Sequence, residues 1–294
     1  LLLNTLKKIP ELLAAKPVDT RVVKVGTPAA GVFDFHVHTT NDKYISQELE
    51  KDGVWEAFET EVFTRLCREG EFILDIGANI GWYTAIGARL IGATGRVYAF
   101  EPDPANYALL RRNVSAIPSR ANVRLFNFAI GDKRQTSRLF LSPINRGDHN
   151  LFASHESRDS VSIEIRTLDD LLMREKRLPT LLKSDTQGSE ARVLRGAQRL
   201  LEQGWRPDMI LEFWPYGLHG TGDDAGALWT QLDSLGYATF KLLETEPRLT
   251  RLRGDDMAAL LQGRLVVESR RFINLLCLHE SSERFHKLTD LIDD

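Results

Sequence analysis

Residues 72–81 read FILDIGANIG, and they set Asp75 two residues before Gly77, with Asn79 and Gly81 following at the same step. The apolar run Trp82 to Ile91 comes next. A buried strand that stops at an acid and turns through glycines lays bare backbone beside a ligand, because glycine accepts left-handed turns and carries no side chain to block approach. RVYAFE, 96–101, is a second apolar strand ending in an acid, Glu101. It falls about 20 residues past the glycines, the spacing at which a carboxylate grips ribose hydroxyls. The chemistry implied is capture of a nucleoside-bearing cofactor. Nicotinamide sites use Gly-x-Gly-x-x-Gly and seat a pyrophosphate on a helix N-terminus. Here an acid precedes the turn and Asn79 stands where a small residue is expected. A carboxylate there repels a pyrophosphate and attracts an ammonium. S-adenosylmethionine has an α-ammonium, a sulfonium and no phosphate, so the residues favour the methyl donor. A nicotinamide-dependent oxidoreductase on the same kind of sheet is the rival reading, and a non-catalytic module that only binds the donor is a second.

Other residues suit proton transfer. LLKSD (181–185) ends in Asp185, and DMILEF (208–213) carries Glu212 near its end. Ligands gather at the carboxyl ends of strands in such sheets, and Glu212 inside an apolar run would be costly to bury unpaired. His149, in NRGDHN, offers an imidazole suited to taking a proton from a hydroxyl. Glu190 is explained as an acid in the first turn of a helix. His36 and His38 alternate on one strand face without a third ligand near in sequence, so a divalent metal stays open and no ligand set is assigned to it.

These residues need a scaffold. Strands at 72–76, 96–101, 122–130, 181–185 and 208–213 alternate with helices at about 82–91, 104–116, 189–203 and 225–235. Asp103 and Pro104 read as the N-cap and first residue of the second helix. The alternation predicts an α/β fold, a doubly wound and mainly parallel sheet between helices. TSRLFLS and VSIEIRT, within 133–170, read as paired strands joined by a polar loop long enough to act as a lid. YATFKLL (237–243) and RFINLLCLH (271–279) read as an antiparallel pair at one sheet edge, with no substantial helix between them. Residues 1–50 form an extension, with a helical run over 1–15 and a strand at 32–38, VFDFHVH, before a core spanning 51–294.

The segments DIGANIGWYT, AFEPDPANYALLRRN, NFAIGD, TLDDLL and LKSDTQGSEARVLRGA, in this order, resemble the FkbM-type family of class I S-adenosylmethionine-dependent methyltransferases. The resemblance runs from about residue 33 to 240. It implies a Rossmann-like seven-stranded sheet with an antiparallel last strand, and O-methylation of sugars or hydroxylated natural products. It also implies that Asp75, Gly77, Asn79 and Gly81 hold the methionine end, that Glu101 takes the ribose, and that Pro102 and Asp103 lie beside it. Ala129 and Ile130 would flank the adenine with Asp132 near its amine. Asp185 would be the acid closest to the transferred methyl, with His149 and Glu212 as further catalytic candidates. Trp214 and Tyr216 suit either a sugar face or a core anchor.

Bulk properties narrow the partners. Lys+Arg 38 against Asp+Glu 41 gives a net charge of -3, without the basic excess of a nucleic-acid footprint. No apolar run approaches the roughly 20 residues that cross a bilayer. Cys67 and Cys277, far apart on apolar segments, read as buried free thiols in a reducing, cytoplasmic setting. The partner expected is a small-molecule or glycan acceptor.

Overall fold

A computed structural model describes residues 19–117, 122–153 and 158–293. The helical run expected over 1–15 lies outside them. The chain opens on an antiparallel hairpin, β1 (Thr20–Thr27) and β2 (Gly31–His38), so the strand expected at 32–38 has a partner that the sequence pattern did not reveal. Two helices follow, α1 (Ile45–Asp52) and α2 (Ala57–Leu66). The alternating core then runs β3 (Phe72–Ile76), α3 (Trp82–Leu90), β4 (Arg96–Phe100), α4 (Pro104–Ser115) and β5 (Val123–Phe126). A small sheet comes from β6 (Ala129–Ile130), β7 (Gln135–Phe140) and β8 (Ser160–Arg166), with β7 and β8 antiparallel as expected. After α5 (Leu168–Leu172) come β9 (Leu181–Ser184), α6 (Glu190–Arg195), α7 (Gln198–Glu202) and β10 (Asp208–Phe213). The end comprises α8 (Pro215–Gly220), α9 (Ala225–Ser234), β11 (Tyr237–Leu243), β12 (Glu246–Leu252), α10 (Gly254–Gln262) and β13 (Ile273–His279).

Among the described residues the central sheet has eight strands, ordered β12-β11-β13-β10-β9-β3-β4-β5. From β5 to β10 neighbours are parallel, and β13 enters antiparallel between β10 and β11. Seven of these strands are the arrangement expected; β12 is an added edge strand paired to β11. Strand order reverses at β3, whose neighbours are β4 and β9, so the crevice at their carboxyl ends is where a ligand belongs. All five residues of β3 are buried, as a parallel strand covered on both faces requires. Ile73 faces a core shared with α2, α3 and the hairpin, while Phe72, Leu74 and Ile76 face one shared with α6, α7 and α9.

Three expectations change. The 122–130 strand breaks, because Asn127 donates to the carbonyls of Glu101 and Pro102 and turns the chain out of the main sheet; Ala129 and Ile130 pair with β8 instead. The helix expected over 189–203 divides at Gly196, whose α-carbon packs on the Gly131 carbonyl where a Cβ would sit 2.0 Å away. The carboxylate of Asp169 accepts from the backbone of Arg199 and Leu200 and so starts α7 afresh. Between β11 and β13 the chain holds both β12 and α10. These escaped the hydrophobic pattern because β12 is an edge strand alternating arginines with leucines, and because Met257 is the buried residue of α10.

Candidate active site

The acids named from sequence converge. Asp75, Glu101, Asp185 and Glu212 stand at the carboxyl ends of β3, β4, β9 and β10, the strands that flank the switch point. Gly77 shows why the turn needs glycine. Its φ is +81°, and a Cβ there would lie 1.8 Å from the Asp185 carbonyl oxygen, so the ends of β3 and β9 touch through bare backbone. Asn79 is also left-handed, at φ 51°; its Oδ1 accepts from the Ile80 N–H, a local bond that suits asparagine to this conformation. Gly81 begins α3 at φ 94°.

Two hollows meet here. The inner one, of about 440 Å³, is bounded by Asp75, Gly77, Lys183, Asp185, Glu212 and Trp214 among others. A second, of about 60 Å³, is bounded by Glu101, Pro102, Ala129, Ile130 and His149. Gly77, Asn79, Gly147, Asp185 and Gln187 line both. The smaller hollow is narrow because the loop after β7 lies on it. The Arg146 carbonyl accepts from the side chains of Asn79 and Asn106, each at 3.1 Å, and the Arg146 guanidinium lies 3.6 Å from Asp103. A typical ligand site measures several hundred Å³, more than this hollow holds with the loop where it lies.

Each carboxylate has a defined surrounding. Glu101 accepts from the Asn79 and Asp103 backbone N–H groups, both at 2.8 Å, one on each oxygen. Burial, then the neighbouring Asp103 charge, push its pKa up to about 8. Asp75 accepts from the Thr84 hydroxyl, and burial raises it to about 6. Asp103 caps α4 through the Asn106 N–H at 3.0 Å, the simpler of its two expected roles. Gln187, left-handed at φ 53°, donates to Asp185 at 2.8 Å and to Glu212 at 2.9 Å. It therefore holds the two acids together. Burial and the Asp185 charge drive Glu212 well above the carboxylate range.

Beneath them lies a buried charge network that the sequence reading missed. Lys183, 2% exposed, lies 2.9 Å from Glu59, itself 0% exposed, and 3.8 Å from Asp185. Burial opposes the lysine charge, but Glu59, Asp185 and Glu56 outweigh it and raise its pKa. Asn274 of β13 donates to Glu59, and the Tyr83 hydroxyl donates to Glu56 at 3.0 Å. A lysine among leucines in LLKSD was the available signal for this network; Glu56 and Glu59 gave none, since charges at a helix start are ordinary.

Two expected residues sit apart from this arrangement. His149 lies on the ribose side, its Nδ1 accepting from the Ser142 N–H at 3.0 Å and its Nε2 lying 3.8 Å from Asp103. Burial lowers its pKa to about 4, so it is neutral, and it lines the hollow that holds Glu101 rather than the one that holds Glu212. Asp132 falls outside the lining of both hollows and lies 3.6 Å from Arg195, because the chain has already left the main sheet at Asn127.

The model of the FkbM methyltransferase domain matches residues 75–238, more than half of the chain and all four of the strand-terminal acids. The chain belongs to the FkbM methyltransferase family. It is 25% identical over 198 residues to methyltransferase sdnD of Sordaria araneosa, covering 54% of this chain and 74% of that protein. It is 34% identical over 91 residues to the 31-O-demethyl-FK506 methyltransferase FkbM of Streptomyces tacrolimicus, covering 28% and 34% respectively. A solved FkbM methyltransferase from Methylobacillus flagellatus matches at 18% identity with a TM-score of 0.41, over 74% of this chain and half the length of that one.

Membership decides the cofactor as S-adenosylmethionine and removes the nicotinamide reading. The residues present fit it. Gly77 lines both hollows without a side chain, and Asp75 is a buried acid whose pKa an ammonium would draw back down. Glu101 keeps lone pairs for ribose hydroxyls beyond the two N–H groups it accepts. Among the described residues no group of three or more His, Cys, Asp or Glu is placed to hold a metal ion.

Proposed function

We propose that this family member transfers the methyl group to a hydroxyl of a sugar, a glycan or a hydroxylated natural product. The observation that carries the reading is the position of Asp185. It lines both hollows where they join, with Gln187 and Glu212 beside it in the larger one. When bound, S-adenosylmethionine supplies an electrophilic methyl carbon on a cationic sulfur. Asp75 and Gly77 would hold its amino-acid end and Glu101 its ribose, with Pro102, Ala129 and Ile130 around the base. Asp185 would accept the proton of the acceptor hydroxyl as its oxygen displaces sulfur from the methyl carbon, with S-adenosylhomocysteine leaving, and would later release that proton to water. Gln187 fixes the carboxylate, and Lys183 lies 3.8 Å behind it. Alignment in a closed hollow supplies much of the rate. The relative from Streptomyces tacrolimicus, named for a 31-O-demethyl acceptor, supports oxygen as the methylated atom.

In this reading residues 1–50 are an extension to a catalytic domain over 51–294, and the 133–170 insertion is the lid. The loop's bonds to Asn79 and Asn106 support the lid. Both cysteines are buried and free, which supports a cytoplasmic setting. No described helix is long and apolar enough to cross a membrane. The test is transfer of a labelled methyl to a panel of glycans and hydroxylated natural products. Wild type should label at least one acceptor. Asp185→Asn should lower kcat by about 10²-fold or more while calorimetry shows S-adenosylhomocysteine binding unchanged. Undiminished turnover in Asp185→Asn removes the assignment of the base, and donor binding with no acceptor labelled favours the non-catalytic reading.

A further inference from the structure

A third hollow, of about 300 Å³, opens off the inner one, and Tyr44, Asn145, Asp148, Trp214 and Arg270 line both. Its wall is aromatic. Phe152, Trp214 and Tyr216 cluster with ring centroids 5.4–6.1 Å apart. Glycines of α8 seat two of these rings: a Cβ on Gly217 would lie 2.2 Å from Trp214, and one on Gly220 2.6 Å from Phe152. Such an edge-and-face cluster at the mouth of an acceptor cavity suits the apolar face of a sugar ring.

Arg270 gives this outer hollow its sign. Asp148 and Arg158, which also line it, pair with each other at 2.7 Å. Arg270 has no carboxylate within ion-pair distance among the described residues, and its guanidinium lies 4.8 Å from the Tyr216 ring centre. Its backbone is held in the left-handed region at φ 53°, with its carbonyl accepting from the Trp214 indole at 3.1 Å. A non-glycine residue kept in that conformation at a cavity edge is a feature of ligand sites. At the inner end Lys183 is already paired with Glu59, and Glu56, Asp185 and Glu212 line the same cavity, so that end offers an anion acids and an engaged lysine. An acceptor bearing an anion is thus held at the outer end, where Arg270 stands, rather than among the acids of the inner one.

We propose that the outer hollow is a subsite for a second sugar ring carrying an anionic group, a carboxylate or a sulfate, one unit from the hydroxyl that is methylated. This rests on the O-methyltransferase reading and deepens it: the acceptor is an acidic oligosaccharide that stacks on Trp214 and Tyr216 and pairs with Arg270. The position of Arg270 sets its direction, since the reverse one would bury the anion among acids, with the lysine there already engaged.

The test titrates the protein, loaded with S-adenosylhomocysteine, with trigalacturonate, its methyl ester, a sulfated neutral trisaccharide and the unsulfated parent. Calorimetry and tryptophan fluorescence report binding. At least one anionic probe should bind about tenfold or more tighter than its neutral counterpart, and which one does so separates carboxylate from sulfate. Arg270→Met should abolish that preference while S-adenosylhomocysteine affinity stays the same, and Arg271→Met should keep it. Equal binding of charged and neutral probes, no binding of either, or an undiminished preference in Arg270→Met overturns the subsite. Donor affinity and labelled transfer to neutral acceptors, measured on the same samples, show whether the methyltransferase reading survives that result.

Discussion

Glu101 does two jobs that pull in opposite directions. Its carboxylate pins the turn through Asn79 and the start of α4 through Asp103, yet it is buried beside Asp103 and held up to about 8. Hydroxyl donors on a bound ribose favour its ionised form. Glu101→Gln keeps the shape and removes the charge. Calorimetry should then show S-adenosylhomocysteine affinity reduced by about 10- to 100-fold, the worth of charge-assisted hydrogen bonds, and an unchanged affinity would remove Glu101 from the ribose site. Asp75 and Glu101 could be read from sequence because an acid closing a buried strand has few structural explanations. Gln187 could not: nothing in D-T-Q-G says that a left-handed glutamine will bridge two carboxylates.

Between elements, the Lys183–Glu59 pair joins β9 to α2, and Asn274 brings in β13. A buried pair contributes little net stability, but removing one partner strands the other charge in the core. Lys183→Met should therefore destabilise the protein by about 3–5 kcal/mol in denaturant unfolding, and adding Glu59→Met should recover much of that loss. A single variant as stable as wild type would mean that water reaches the site and the pair is not enclosed. The contact links residues 124 apart in the chain, so no local pattern predicted it. The insertion was legible because its two strands alternate within one short stretch, whereas the break at Gly196 depends on the remote Gly131 carbonyl.

For the whole molecule, the carboxylates gathered at one end of the sheet make stability depend on pH. Burial raises Asp75 to about 6, Glu190 to about 7 and Glu101 to about 8, and lifts Glu56 and Glu212 as well. In the unfolded chain these groups lose their protons near pH 4. Between there and their folded values the native state holds more protons than the unfolded one, so stability falls as pH rises. The ligand-free protein should show a Tm lower by about 5 °C at pH 8 than at pH 5.5, corresponding to about 1–2 kcal/mol at this size. S-adenosylhomocysteine, through its ammonium near Asp75 and its hydroxyls at Glu101, should flatten the slope. A Tm that climbs over this range in a calorimetric scan would contradict the burial of these acids.

Periodicity, glycine turns and strand-terminal acids were enough to derive the α/β class, to favour the methyl donor and to single out acids that the fold brings together, because each of these signals lies within one strand–turn–helix unit. The positions of His149 and Asp132, the Lys183 network, the bridge at Gln187 and the free guanidinium of Arg270 depend on which distant segments meet. Packing decides such contacts, since a side chain's charge and hydrogen-bonding cost are set by what surrounds it in space and not by its neighbours along the chain.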